Sequence, residues 1–362
     1  MKKYSEITNW LEENRGKFTE LSDKIWAGIG SFSRYGLGTQ FDSDWAGRYM
    51  AYKSIVETFS VIPNIAFKLT DKLSLAAGIE VMYLTIDLRR TIDATQYVYA
   101  QDPAGAAATL TGLGLSPTVN DPSTSALDVD TKIMGENVAL GFNLALHYLI
   151  NDEWSLGLTY RSQVTHQVSG DASFDRSALT DMMFGPMLFQ DTGAAGSITL
   201  PDSVTLGLSY SPTEDLSFEI DAIYTRWSTY GELTFNFDEL TAVGLPSSTT
   251  ETRWNDVWRF QFGVEYSPID WLDLRLGYIY DQSPIEDGYE DYRLPANDRN
   301  LASAGVGFHF GNFSLDLSYT YLWVKERDVD ARTDDFGFPE MYKSHFEDGD
   351  AHIYGLSLGY NF

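Results

Sequence analysis

The chain of 362 residues contains no cysteine. That excludes a disulfide framework, a thiolate-bound metal and a thiol nucleophile. Histidine is scarce: His147, His166, His309, His345 and His352 are the only five, and they form no ligand spacing, so no metal and no cofactor is expected. No stretch approaches the ~18–20 consecutive apolar residues of a membrane helix. The opening Met1-Lys2-Lys3 carries charge, but Tyr4 to Arg15 contains no apolar core of a secretory leader. Basic residues are few: 25 Lys and Arg face 52 Asp and Glu, a net charge of −27 that argues against a nucleic-acid partner. Aromatic side chains are plentiful, with 22 Tyr, 21 Phe and 9 Trp. Together these leave a large soluble β-protein or a membrane β-barrel.

One short phrase recurs along the chain, a tight polar turn followed by a strand that alternates apolar and polar. Its copies read LSDKIWAGIG, LTDKLSLAAGIEVMY, NDEWSLGLTYRS, PTEDLSFEIDAIY, PIDWLDLRLGYIY and GNFSLDLSYTYLW, and AHIYGLSLGYNF closes the chain. Side chains on a strand alternate faces with period two. Leu272, Leu274, Leu276, Tyr278 and Tyr280 therefore share one face, against Asp273, Arg275 and Gly277 on the other. A soluble sandwich buries the apolar face, whereas a membrane barrel turns it to lipid. Two features favour the barrel. Strands returning to the tight turns end in Phe67, Tyr148, Tyr210, Tyr266, Phe310 and Phe362, an aromatic girdle at one interface. The other ends are joined by long loops, at Ile92–Lys132, Asp175–Ser197, Asp238–Asn255, Ile285–Arg299 and Arg327–Asp350. The expected fold is all-β, a transmembrane antiparallel barrel of 12–14 strands. Twelve are predicted over 24–41, 50–69, 72–91, 135–150, 154–170, 199–211, 216–236, 256–268, 271–283, 299–311, 313–327 and 351–362, with a remnant near Lys17–Leu21.

The succession GIGSFSRYGLGTQFDSDWAGRY, TYRSQV, LPDSVTLGLSY, YTRWSTY and GYIYDQSPI, between Lys17 and Phe362, resembles the FadL family. These are outer-membrane transporters of long-chain fatty acids and other hydrophobic compounds. The resemblance implies fourteen strands preceded by a signal peptide and a small hatch. Met1–Arg15 resembles neither, although Ile7, Trp10 and Leu11 are spaced for one face of a short helix. The expectation is a segment of unclear structure over 1–23 and a barrel over 24–362. The hatch is taken as largely absent, through a truncated or misassigned start rather than a genuine short plug.

On the strand Leu73–Arg90 the even positions face the lumen. Ser74, Ala76, Gly78 and Glu80 are followed by Met82, Leu84, Ile86 and Leu88, then Arg90. An apolar ladder capped by a guanidinium suits an acyl chain with a carboxylate head: the tail gains ~0.8 kcal/mol per buried CH₂ and the head a charge-assisted hydrogen bond. Packing against a plug or loop, with Arg90 paired to an acid, fits the parity equally well. The resemblance favours ligand, because Arg90 falls where family members carry a head-group arginine. It also implies a second basic residue on a later loop, where Thr250 stands with Arg253 three residues on. Inward Arg161 and Arg259 are read as balancing the lumen acids Glu219, Asp221, Glu265, Asp273 and Asp316.

In the loop Asp175–Gln190, Met182, Met183, Phe184, Met187, Leu188 and Phe189 are too apolar for an idle surface. With Gly105–Leu115 they are read as an outer capture groove, or as two loops packing over the barrel mouth. Gly36 lies where the resemblance implies a lateral gate into the membrane. The acidic loops DGYEDY and FEDGD read as a solvated rim, with divalent cations bridging lipopolysaccharide as the alternative. No Ser–His pair suggests hydrolysis, so the chain is not expected to be an enzyme. The expected partners are a long-chain fatty acid or other hydrophobic ligand and the outer-membrane lipids and lipopolysaccharide, around a monomer. The rival readings are a water-filled porin, against which the Met82–Leu88 ladder speaks, and a barrel-embedded lipid hydrolase.

Overall fold

A computed structural model describes residues 17–185, 187–238, 247–333 and 338–360. The helix expected around Ile7, Trp10 and Leu11, and the girdle residue Phe362, lie outside these. Eighteen strand segments form one antiparallel sheet. Five strands are broken in the middle, so the segments make thirteen passes. These are β1 (Lys17–Ser22); β2 (Ile25–Phe32) with β3 (Gly36–Gln40); β4 (Lys53–Lys68); β5 (Leu73–Asp93); β6 (Asp128–Leu149); and β7 (Trp154–Arg161) with β8 (Val164–Arg176). There follow β9 (Thr192–Leu200) with β10 (Ser203–Thr213), β11 (Leu216–Thr225) with β12 (Glu232–Phe237), and β13 (Ser247–Glu251) with β14 (Val257–Ile269). β15 (Leu272–Asp281), β16 (Arg299–Phe310) and β17 (Phe313–Val324) lead to the last pass. In the loop before it, β18 (Arg327–Val329) pairs with β21 (Ser344–Phe346), and β19 (Arg332–Thr333) with β20 (Pro339–Met341). β22 (Asp350–Tyr360) pairs with β17. Among the described residues no ladder joins β1 to β22. The strand count and the Lys17 remnant agree with the sequence reading. The breaks within 154–170 and 216–236 do not follow from it, since both were expected to be continuous.

Turn chemistry sets the registers. Asn151 Oδ1 accepts from the backbone N–H of Glu153 and Trp154 at 2.9 and 2.8 Å, closing the β6–β7 turn. Thr70 Oγ1 does the same for Leu73 at 3.0 Å. The turn between β16 and β17 needs a left-handed residue and has Gly311, at φ +62.

The outward face is a continuous apolar band. Ile79, Leu140, Leu206 and Leu276 are 57, 68, 48 and 62 % exposed. Where the turns lie, Trp154 stacks on Tyr210 at 4.2 Å, and Phe67, Tyr148, Tyr266 and Phe310 are exposed beside them. This is the girdle of a membrane barrel. Among the described residues no helix is long and apolar enough to cross a membrane.

The long loops fold over the opposite end. β5 and β6 run further than expected, shortening the loop between them to 94–127, where α1 (Thr95–Gln101) and α2 (Ala106–Gly112) form. α3 (Ala178–Phe184) is capped by Ser177 Oγ, which accepts from Thr180 N at 3.1 Å. Arg48, almost fully buried in the 41–52 loop, pins these loops to the rim through Asp128 at 3.0 Å and Thr124 O at 3.0 Å. Burial, and then the nearby Asp128 carboxylate, raise the Tyr49 phenol above its ordinary pKa. It therefore stays protonated and donates to Asp121 O at 2.9 Å.

Leu140→Arg on the lipid face is expected to destabilise the barrel by about 2–4 kcal/mol. Ser209→Arg, which would face Glu219 across the β10–β11 ladder, is expected to cost little. Folding titrations in lipid vesicles check this, and equal sensitivity at both positions would contradict the assignment of faces.

Candidate functional site

The even positions of β5 face inward as parity requires. Glu80, Met82 and Leu84 are fully buried and Ile86 nearly so, while Leu75, Ile79 and Val81 are exposed outside. Around this ladder a single apolar cluster fills the loop-side half of the barrel. β8 and β9 contribute Val164, Val168, Phe174 and Ile198; β12 contributes Leu233, Phe235 and Phe237. Leu110 of α2 and Phe189 of the 177–191 loop enter the same cluster, with Leu88, Met183, Phe184 and Leu188 packed against it. The loops thus pack over the barrel mouth and supply part of the ladder's own packing. Met182 and Met187 do not join it. They are 77 and 58 % exposed on the outside of the same loop.

At the outer end of the ladder lies a cavity of about 100 Å³. Leu88, Arg90, Thr131, Ile133, Leu233, Phe235, Ser248, Thr250 and Ser54 line it, as do Lys53, Arg89 and Arg293. Arg90 Nη2 donates to Ser248 Oγ at 3.3 Å, linking β5 to β13 across the interior. Arg293 is held by Asp291 at 2.5 Å, and Asp87 holds Lys53 and Arg89 at 2.7 and 2.8 Å. Ser54 Oγ is buried and has no hydrogen-bond partner among the described residues. Of the two positions considered for a second polar contact, Thr250 reaches this cavity. Arg253 does not line it: Arg253 is exposed at φ +43, paired with Glu251 at 2.9 Å and stacked over Tyr289. Ser54 and Arg293 were not singled out in the sequence. Ser54 was recoverable, since it stands opposite Leu88 in register. Arg293 was not, because it reaches the site from a loop.

Below the ladder the chain breaks at Ser33–Tyr35, between β2 and β3, one residue before Gly36. The break turns Arg34 inward. Its guanidinium bonds Glu80 Oε2 at 3.3 Å, Ser162 O at 2.9 Å and Pro201 O at 3.0 Å. Ser60 Oγ donates to the other Glu80 oxygen at 2.7 Å, and Tyr35 OH to Pro201 O at 2.7 Å. Both charges are almost wholly enclosed. A Cβ on Gly36 would meet nothing nearer than Val56 O at 4.0 Å. Among the described residues β3 pairs with β4 alone, so its other edge carries no ladder.

The lumen acids are balanced differently from the sequence reading. Arg275 carries Glu265, Asp273 and Asp316, at 2.5, 2.9 and 2.6 Å, and His309 adds a contact to Asp273 at 2.7 Å. Arg161 instead lies over the Phe32 ring at 4.5 Å, and Arg259 Nε is buried with no hydrogen-bond partner among the described residues. The reason is register: Glu265 pairs with Arg275 directly across the β14–β15 ladder.

The family model described as outer membrane protein transport protein (OMPP1/FadL/TodX) matches residues 13–362. A curated outer membrane protein of Neisseria meningitidis is 29 % identical over 251 residues, 65 % of this chain and 53 % of that protein, so the chain spans about half of its length. The long-chain fatty acid transport protein of Escherichia coli K12 is 25 % identical over 370 residues, covering 98 % of this chain and 78 % of the relative. Among solved structures, a Pseudomonas aeruginosa FadL homologue shares the fold at TM-score 0.79 and 21 % identity, over 95 % of this chain and 77 % of that one. The Ralstonia pickettii toluene transporter TbuX does so at 0.62 and 18 %, over 88 and 76 %.

Arg34→Met leaves Glu80 enclosed without its countercharge and is expected to destabilise the barrel by about 3–5 kcal/mol. Arg34→Met with Glu80→Leu is expected to recover most of that loss. Urea unfolding in detergent micelles reads both, and a double variant as weak as the single one would refute the pairing.

Proposed function

Because the chain belongs to the outer membrane protein transport family (OMPP1/FadL/TodX) and is an outer-membrane β-barrel, we propose that it is a passive channel bringing long-chain fatty acids or similar hydrophobic molecules into the cell. The observation that carries this reading is the apolar ladder Met82–Leu88 ending in a cavity of mixed polar and apolar lining. There Arg90, Ser248, Thr250 and the unpartnered Ser54 hydroxyl converge. A carboxylate seated there accepts from a guanidinium and from hydroxyls at once. The cavity has the volume of about three waters, enough for a head group. The tail follows the ladder by displacing Phe189 and Met183, loop side chains that already sit in the apolar cluster.

Capture begins outside, at the exposed Met182 and Met187, whose soft, adaptable side chains suit apolar ligands of varied shape. Release is lateral, at the break before Gly36, which the unpaired edge of β3 supports. Arg253, on the rim with Glu251 and Tyr289, serves as an outer basic contact for an anionic head. The protein works as a monomer among outer-membrane lipids and lipopolysaccharide.

Arg90→Ala is expected to weaken binding of oleate by about ten- to a hundredfold, the loss of a charge-assisted hydrogen bond. Titration of the purified protein reads it, and unchanged affinity would remove Arg90 from the site. Gly36→Val is expected to slow oleate uptake by cells severalfold while leaving its affinity unchanged, because the added methyls crowd the gap and not the cavity. Unchanged uptake would rule out release there.

A further inference from the structure

Deeper in the barrel, His166 is wholly enclosed on the inward face of β8, between Val164 and Val168 and opposite Ile198 of β9. All three neighbours belong to the apolar cluster. Its Nδ1 lies 3.2 Å from Asn137 Oδ1 on β6, while its Nε2 is buried with no hydrogen-bond partner among the described residues. An orphaned polar atom in an apolar interior is costly and calls for an explanation.

The network determines what that atom can do. Asn137 Nδ2 donates to Gln167 O at 2.7 Å, which fixes the amide so that Oδ1 is the acceptor facing the imidazole. His166 therefore carries its proton on Nδ1. In the neutral ring Nε2 is then a bare lone pair, an acceptor and not a donor. Asn137 pairs in register with Leu84, midway along the ladder, and Ser54 pairs with Leu88. Four residues of strand, about 13 Å, separate the two levels. The imidazole thus lies well away from the Arg90 cavity, beside the path the tail would take.

We infer that His166 Nε2 is a specificity site for a hydroxyl carried on a hydrophobic cargo, an O–H donor met inside the apolar slot. This rests on the slot holding cargo, as proposed above. An alcohol, or a hydroxylated acyl chain, satisfies the lone pair. A hydrocarbon leaves it bare, and an ether or ester oxygen opposes it with a second lone pair.

The test uses the full chain in amphipol, with equilibrium dialysis of radiolabelled 1-dodecanol, its methyl ether and n-dodecane. Wild type is expected to hold the alcohol more tightly than the ether. His166→Leu is expected to lose about tenfold in affinity for the alcohol alone, one hydrogen bond. His166→Gln, which keeps an acceptor, is expected to recover much of the difference and guards against a folding defect in the leucine variant. Alcohol and ether affinities that move in parallel, or not at all, across the three proteins would overturn the inference while leaving the transport reading standing. Failure of wild type to bind any of the three while it still binds oleate would overturn the inference alone; failure with oleate as well would overturn both.

Discussion

Every backbone N–H and C=O in a bilayer must find a partner within the protein, because hydrocarbon offers none. The rest of this structure follows from that demand. It explains why the chain crosses the membrane as laddered strands, and it makes the breaks in those strands informative. A break frees backbone groups, and several of those here are answered by side chains. Thr58 Oγ1 accepts from Tyr35 N at 3.0 Å and donates to Tyr35 O at 2.6 Å. Ser162 Oγ accepts from Phe142 N at 2.9 Å. Pro201 O takes both Arg34 and Tyr35. Thr252 Oγ1 donates to Tyr230 O at 2.6 Å.

These repairs tie the wall to the interior. Arg34 can leave its strand and enter the barrel because Glu80, Ser162 and Pro201 receive it there. Glu80 can be buried because Arg34 and Ser60 satisfy both of its oxygens. The enclosed pair lies at the start of the ladder, where the polar face of β5 gives way to Met82. Above it the interior is apolar and closed by loop side chains. Towards the turns lie the acids paired with Arg275, Asp273 buried and Glu265 and Asp316 half-buried. The interior thus changes character along its axis, and the candidate cargo path runs from the cavity at Arg90, past His166, towards the break at Ser33–Tyr35.

Much of this was legible in the sequence. Period-two alternation assigned the faces of β5 and β15 correctly, because a pleated strand leaves a side chain only two directions. The polar turns and girdle aromatics marked one end for the same local reason. The family resemblance placed Arg90, which the structure puts beside a cavity. What escaped were contacts between distant segments. Arg34 has to meet residues 46, 128 and 167 positions away. His166 looked like one of five unrelated histidines because Asn137 and Ile198 come from other strands. Arg275, rather than Arg161 or Arg259, answers Glu265, Asp273 and Asp316 because of ladder register.

The sequence by itself determined that this chain is a β-barrel, which face meets lipid and which end bears the tight turns, since all three depend on neighbours along one strand and on the spacing of aromatics and turns. Only the tertiary structure decided where strands break, which loops fill the interior and which polar atoms inside are left without partners. Those outcomes depend on how separate strands align, and a one-residue change in register would move every one of them.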